Sequence, residues 1–303
     1  MATVFQAVDR QTGRMVAIKA PRADFATSRT SLARLAHEAA VLGKLNHPGI
    51  PKISSIAEKS RPYVVMECLE GETLYDVLQR KRSLSICDAL QLVSRLCEIL
   101  QHVHEHGVIH RDLKPGNIIV SKDGMPHIID FGISKITARE PILLGWLSPK
   151  MTGTPEYMAP EQIQGDRTDP RTDIYTLGAV LYEIVTGTPP FEVDDTHENI
   201  RLRLGRAPRC PRELNDNVTE QIEQIILHAM APRPPDRYRS AAAMKAELDF
   251  PDSVEVTGKY KTPLKASPWP KRLRLATFVF SLFAAPVILF FIFLLIFQRQ
   301  LAH

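Results

Sequence analysis

Three short runs of the sequence contain residues whose types and spacing suit chemistry. They are residues 110–117 (HRDLKPGN), 130–132 (DFG) and 159–161 (APE). Carboxylate and amide oxygens are the ligands that a hard cation such as Mg²⁺ prefers, and cationic side chains pair with phosphate. Because the transfer of a phosphoryl group needs positioning and charge neutralisation more than covalent chemistry, these residue types suit a reaction on phosphate groups.

Two predicted strands and a predicted helix must position further charged residues near the N-terminus. Residues 4–8 (VFQAV) and 15–19 (MVAIK) are rich in strand-forming side chains and flank a turn-like run. The second strand ends in Lys19. Over residues 28–45 the leucines and alanines recur at helical spacing, which predicts an amphipathic helix that carries Glu38.

With these motifs in this order, the chain resembles the bacterial Hanks-type serine/threonine protein kinases over about residues 1–250. The resemblance extends to residues 153–161 (GTPEYMAPE) and 173–178 (DIYTLG). It implies an α+β fold of two lobes. A small lobe of antiparallel strands and one helix would span about residues 1–68, and a mainly helical large lobe about residues 69–250. ATP, with Mg²⁺ or Mn²⁺, would lie in the cleft between them.

The resemblance also implies a role for each charged residue of the motifs. Lys19 would hold the ATP phosphates and pair with Glu38. Asp112 would be the base that orients the acceptor hydroxyl, and Lys114 would neutralise the γ-phosphate. Oxygen ligands for the metal ion would come from Asn117 and Asp130.

A site for the adenine ring follows from the same resemblance. Residues 66–69 (MECL) match the hinge between the lobes, with Met66 as the gatekeeper. Backbone groups of Glu67 and Leu69 would form hydrogen bonds with adenine. The side chains that would sandwich the ring are those of Val4, Ala17 and Ile119.

Residues 130–161 correspond to the activation segment of these kinases. Arg111 would pair with a phosphorylated hydroxyl in this segment through bidentate hydrogen bonds. Thr154 matches a family threonine that bonds near the base, so we interpret it as structural. Autophosphorylation is expected first at Thr152, and the other candidates are Ser148 and Thr137.

Several polar residues are expected to support the structure. The resemblance implies that Glu161 pairs with Arg237 and that Asp173 holds the backbone of the catalytic loop. The four cysteines form no CxxC pair, which argues against a disulfide framework and a cysteine zinc site. The histidines near the catalytic loop resemble a metal cluster by their number, but their positions at the end of a helix and in the loop favour structural roles: His102, His104, His106 and His110.

The match departs from the family at its start. The family's glycine-rich loop, G-x-G-x-x-G-x-V, folds over the ATP phosphates. Here Val4 stands at its last position and Ala2 at the third glycine, and the first two glycines and the first strand are missing. Either the true start lies upstream of Met1, or the protein lacks this loop. We expect the chain as written to be a poor kinase.

A linker and a membrane helix are predicted after the large lobe. Residues 251–274 contain prolines and lysines, and residues 275–297 carry no charge over a length that can span a bilayer. Basic residues before this segment outnumber those after it, which predicts a kinase domain in the cytoplasm, a single pass through the inner membrane and a short outer tail, residues 298–303. The basic linker could also contact anionic lipids, and the membrane helices could bring two copies together.

The function predicted from these observations is transfer of the ATP γ-phosphate to serine or threonine hydroxyls of proteins. The main alternative is a membrane-anchored pseudokinase that acts as a binding scaffold. A small-molecule kinase of the aminoglycoside type shares the fold, but residues 153–161 form a segment typical of protein substrates. Net basicity is concentrated after residue 258, so it provides no argument for nucleic-acid binding.

Overall fold

The N-terminal part of the chain folds as an antiparallel sheet with one helix against it. In this computed structural model the strand order is β1-β2-β4-β3. Leu35 and Ala39 of the helix pack with Val64 of the last strand in a small apolar cluster. The elements are β1 (Ala2–Val8), β2 (Met15–Pro21), α1 (Arg29–Leu42), β3 (Ile53–Ala57) and β4 (Tyr63–Glu67).

Strand register places the predicted nucleotide-site residues of this sheet on one face. Val4 of β1 lies opposite Lys19 of β2, and Ala17 of β2 lies opposite Met66 of β4. Side chains that are directly opposite each other, or two residues apart in one strand, share a face of a sheet. The strands therefore collect Val4, Ala17, Lys19 and Met66 on a common surface.

A helical lobe follows, built around a helix that is buried on nearly every side. Only Arg171, Glu183 and Thr186 of α5 are partly exposed, so this helix lies inside the lobe and not on its surface. Gly187, in the left-handed conformation with φ of 77°, ends it. The helices of this lobe that are described from end to end are α2 (Leu74–Lys81), α3 (Ile86–Glu105), α4 (Pro160–Ile163), α5 (Arg171–Thr186), α6 (Glu220–Ala229) and α7 (Ala241–Asp249).

Two small sheets hold the loops that carry the motifs. One has the order β5-β7-β8 and the other pairs β6 with β9. Strand β6 runs directly into the 110–117 loop, and β8 ends two residues before Asp130. The strands are β5 (Glu72–Thr73), β6 (Val108–Ile109), β7 (Ile118–Val120), β8 (Pro126–Ile128) and β9 (Lys135–Ile136).

The predicted elements are present with shifted ends. Both N-terminal strands are two residues longer than predicted, and α1 ends at Leu42 and not at residue 45. Gly43 follows the helix, and the next amides bond only three residues back, from Lys44 to Val41 and from Leu45 to Leu42. Because glycine stabilises helices poorly, the helix ends here, although the apolar periodicity of the sequence continues to residue 45.

Residues 251–260, the first ten of the predicted linker, lie against the helical lobe. The Gln224 amide donates to the Thr257 hydroxyl over 3.0 Å. The Tyr260 ring stacks on the ring of His228, with centroids 4.7 Å apart, and His228 also contacts Tyr238, at 3.8 Å. The chain therefore continues to contact this lobe as far as Tyr260, although its composition already changes at Pro251.

The residues described are 2–22, 29–57, 62–132, 134–136, 155–165, 169–191, 202–204 and 207–260. Among them no helix combines the length and apolar composition needed to cross a membrane. The predicted membrane segment, 275–297, lies outside the described residues, as do the predicted phosphorylation sites Thr137, Ser148 and Thr152.

The stacking of His228 predicts a pH-dependent stability. Burial, with a smaller contribution from Lys259, lowers the pKa of this imidazole from 6.5 to about 4. The unfolded chain therefore binds more protons between these values, and the free energy of unfolding should fall as the pH falls from 6.5 to 4. Because the ring is partly solvated, we expect a loss of about 1–2 kcal/mol.

Urea unfolding at a series of pH values measures this loss as the slope of the free energy of unfolding against pH. His228→Gln should remove the part of this slope that comes from the imidazole. Equal slopes in the wild type and in His228→Gln would contradict the assignment.

Candidate active site

A lysine and two carboxylates from distant parts of the chain meet in the cleft. The Lys19 ammonium lies 2.7 Å from both carboxylate oxygens of Glu38 and 3.0 Å from Oδ1 of Asp130. Burial by itself lowers the pKa of Lys19, but the two carboxylates outweigh burial and raise it. Burial also opposes ionisation of Asp130, and the ammonium outweighs that effect and lowers the pKa of this carboxyl. The lysine and the aspartate are therefore held as charged groups.

A buried carboxylate shapes the 110–117 loop. Asp173, on α5, is fully buried and accepts hydrogen bonds from the backbone amides of His110 and Arg111, at 2.9 and 2.8 Å. Its Oδ2 also lies 2.8 Å from Nε2 of His104. Burial alone would raise the pKa of Asp173, but these contacts outweigh it and lower the pKa. The carboxylate thus fixes the backbone of Arg111 in the left-handed region, with φ of 68°.

The loop residues predicted to act on substrate lie together. The Lys114 ammonium is 3.5 Å from Oδ2 of Asp112. The side-chain amide of Asn117 donates to the backbone carbonyl of Asp112, at 2.7 Å, and to its Oδ2, at 3.2 Å. Because the NH₂ group of Asn117 is used in this way, its oxygen is the atom that remains for a cation.

Asp130 is presented by a tight turn next to this loop. Its φ of 65° places it in the left-handed region, which a non-glycine residue adopts at some cost. The next residue, Phe131, is fully buried and meets the ring of His110 edge-on, with centroids 4.7 Å apart. Packing of this phenylalanine thus holds the strained turn at the cleft.

A cleft of about 820 Å³ opens between the two lobes. Its lining includes every residue predicted to contact the nucleotide: Val4, Ala17, Lys19, Met66, Glu67, Leu69 and Ile119. Glu38, Asp112, Lys114, Asn117 and Asp130 line the same cleft. In the hinge, the amide of Glu67 donates to the carbonyl of Lys52, at 2.8 Å, so this backbone group is already engaged within the protein.

The buried ion pair expected behind this site is formed. Two nitrogens of the Arg237 guanidinium lie 2.7 Å from the two carboxylate oxygens of Glu161. Arg237 also donates to the carbonyls of Arg171, Ala231 and Pro232. These bonds join the end of the predicted activation segment to the helical lobe.

One contact in this region was not predicted from the sequence. The side-chain amide of Gln162 donates to the carbonyl of Arg111, at 2.8 Å, and its oxygen accepts from the amide of Ala159, at 3.0 Å. This glutamine joins the 159–161 motif to the catalytic loop. Its position directly after that motif was the only signal in the sequence, and glutamine at a helix start is too common to single out.

Of the four histidines near the loop, His102 and His106 contact each other, and His104 and His110 bond to other parts of the chain. His110 Nε2 lies 3.1 Å from the carbonyl of Ile129, and Nδ1 of His106 lies 2.8 Å from the carbonyl of His102. His104 bonds Asp173, as described above. Within the described ranges, no group of three or more histidine, cysteine, aspartate and glutamate side chains is arranged to hold a metal ion.

The fold and the cleft define a protein kinase, and the chain belongs to the protein kinase domain family, whose pattern matches residues 1–248. It is 35% identical over 289 residues to serine/threonine-protein kinase PknB of Mycolicibacterium smegmatis, an alignment that covers 91% of this chain and 46% of that protein. PknB of Mycobacterium leprae is 35% identical over 253 residues, with 82% of this chain and 40% of the relative covered.

A probable serine/threonine-protein kinase of Corynebacterium efficiens is 36% identical over 259 residues, which cover 82% of this chain and 39% of that protein. The chain thus spans less than half the length of these relatives. The expected two-lobed kinase fold is confirmed for the domain that they share with it.

The buried ion pair predicts a large loss of stability when one partner is removed. Arg237→Met leaves the Glu161 carboxylate buried without its cation, which should lower the free energy of unfolding by about 3–5 kcal/mol. The double variant Glu161→Leu/Arg237→Met should recover part of this loss, because it removes the uncompensated charge.

Denaturant unfolding measures both effects. Arg233→Met is the matched control, since its pair with Asp236 is solvent-exposed on the arginine side and should contribute about 1 kcal/mol or less. An Arg237→Met variant as stable as this control would show that the buried pair contributes little.

Proposed function

We propose that this chain is an ATP-dependent protein serine/threonine kinase that transfers the γ-phosphate to serine and threonine hydroxyls and phosphorylates its own activation segment. One observation carries the proposal: the ion-paired Lys19 and the Asp112–Lys114–Asn117 cluster line the same cleft. Membership in the protein kinase domain family supports it.

Lys19 and Glu38 suit the binding of phosphates. The bidentate contact of the ammonium with Glu38 holds it at one place in the cleft, where it can neutralise phosphate oxygens. The raised pKa of Lys19 keeps the group charged at neutral pH. This pairing places a fixed positive charge at the back of the nucleotide site.

Asp112 suits the acceptor side of the reaction. In the proposed reaction its carboxylate accepts the proton of the attacking serine or threonine hydroxyl and orients that oxygen toward the γ-phosphate. The Asn117 amide holds the loop backbone at Asp112. Lys114, next to the carboxylate, neutralises charge on the transferred phosphoryl group.

The donor set also fits a hard divalent cation such as Mg²⁺. Asp130 supplies a carboxylate with a lowered pKa, and Asn117 retains its side-chain oxygen. Oxygen ligands of these kinds are the ones that Mg²⁺ and Mn²⁺ accept. When bound, the cation would neutralise charge on the phosphate oxygens, and Asp130 and Asn117 would hold it.

A protein substrate is favoured by the segment beyond the cleft. Gln162 and the Glu161–Arg237 pair fix the end of the activation segment against the catalytic loop and the helical lobe. Such a rigid surface can position an extended peptide near Asp112. Thr152, followed by Ser148 and Thr137, remains the proposed set of autophosphorylation sites, with Arg111 as the proposed partner of the phosphate.

Attachment to the inner membrane through residues 275–297 is also part of the proposal. The support is the uncharged run in the sequence and the basic residues before it. The kinase domain would face the cytoplasm, the basic linker would contact anionic lipids, and pairing of the membrane helices would bring two copies together for autophosphorylation.

Phosphate transfer by the full chain, in detergent or lipid, tests the proposal. With labelled ATP and Mg²⁺, Asp112→Asn should lower incorporation into the chain and into a protein substrate by about 10²–10⁴-fold, because the proton acceptor is lost. Asp123→Asn, in the exposed turn between β7 and β8, is the matched control and should stay within about twofold of the wild type.

Mass spectrometry of residues 137–154 then locates the modified hydroxyls. Incorporation that is equal in the wild type and in Asp112→Asn would overturn the assignment of Asp112. A folded wild type that binds ATP with Mg²⁺ but transfers nothing would favour the pseudokinase alternative.

A further inference from the structure

Helix α1 makes a second contact with the region of Asp130, next to the one made by Glu38. Nε2 of His37 lies 2.7 Å from the backbone carbonyl oxygen of Ser134. A carbonyl oxygen can only accept, so the imidazole must donate through an Nε2–H group. This contact crosses from the small lobe to the segment that follows the DFG motif.

Ser134 is a firm point of attachment. The residue is only 2% exposed. Its amide and its hydroxyl both donate to the carbonyl of Phe131, at 3.1 and 2.7 Å. The hydrogen-bonding groups of this serine are therefore engaged on one side by the Asp130 turn and on the other by His37.

The next residues connect the same segment to the catalytic loop. Lys135 and Ile136 form β9, where Lys135 pairs with Ile109 of β6. Strand β6 runs directly into the loop that carries Asp112. The carbonyl that accepts from His37 thus belongs to a stretch of backbone that is fixed to both the Asp130 turn and the catalytic loop.

Two adjacent contacts constrain the helix more than one does. Successive side chains on a helix point about 100° apart around its axis. Glu38 forms a hydrogen bond with Lys19, and it also lies against Gly132, where an added Cβ atom would be 3.6 Å from Oε2 of Glu38. The neighbouring residue, His37, forms a hydrogen bond with Ser134. The Glu38 contact alone fixes how closely the helix approaches, and the pair of contacts also fixes its rotation.

We propose that His37 is a positioning residue for phosphoryl transfer: through its hydrogen bond to Ser134 it sets the rotation of α1 and so aligns Glu38 and Lys19 with Asp130. The inference rests on the proposed kinase activity. Both the neutral Nε2–H tautomer and the imidazolium can donate this bond, so the contact persists across neutral pH. His37 touches no substrate in this role and acts through Glu38.

Two variants of His37 whose side chains differ in length test this proposal. The side-chain amide nitrogen of glutamine lies about as far along the side chain as Nε2 of histidine, whereas that of asparagine is too short. His37→Asn should lower kcat about five- to tenfold, the effect of losing one hydrogen bond, with less than a twofold change in KM for the protein substrate. His37→Gln should stay within about twofold of the wild type.

A double-mutant cycle tests the route through Glu38. In a Glu38→Gln background, His37→Asn should lower kcat less than twofold, because the residue it positions is already altered. The pH–rate profile should keep its shape in His37→Asn. Fully additive losses, or equal kcat values for the asparagine and glutamine variants, would overturn the proposal.

A structural readout separates this inference from the proposed function. Hydrogen exchange of the amides in residues 31–42, measured by mass spectrometry on the full chain, should be about fivefold faster in His37→Asn than in His37→Gln. His106→Asn, at an exposed histidine, is the control and should exchange like the wild type. No transfer by the wild type would defeat the proposed activity, whereas equal exchange in both His37 variants would defeat the contact.

Discussion

A single buried carboxylate, that of Asp173, organises the catalytic loop. It lies on α5, a helix that is buried on nearly every side. It accepts hydrogen bonds from two backbone amides of the loop and one from His104. A buried charge is tolerated only when its hydrogen-bonding capacity is filled. Satisfying this carboxylate therefore forces the loop into one shape, with Arg111 at a positive φ, and that shape places Asp112 and Asn117 in the cleft.

The two lobes are joined at the cleft by charge and by packing. Lys19 comes from the sheet, Glu38 from α1 and Asp130 from the helical lobe, and the ammonium contacts both carboxylates. The same turn that presents Asp130 buries Phe131 against His110, and Ser134 beyond it meets His37. The position of α1 is thus coupled to Lys19 through Glu38 and to the segment after Asp130 through His37.

Much of this site could be predicted from residue identity. The resemblance to the kinase family, which the runs at 110–117 and 130–132 carry, implied which side chains would share the cleft, and all of the residues expected at the nucleotide site line it. Three parts could not be predicted in the same way. The bonds of Gln162 and His37 depend on where separate elements pack, and the chain packs through Tyr260 although its composition changes at Pro251.

The amino-acid sequence was sufficient to identify the kinase domain and the side chains expected in its cleft, because each motif is a short contiguous run whose resemblance to the family can be recognised without the fold. Tertiary structure alone decided the long-range partners, such as Ser134 for His37 and Arg111 for Gln162. Every residue has a backbone carbonyl, so the sequence does not indicate which one will accept a given hydrogen bond. Only the packing of helices and strands brings one such oxygen within reach of a particular donor.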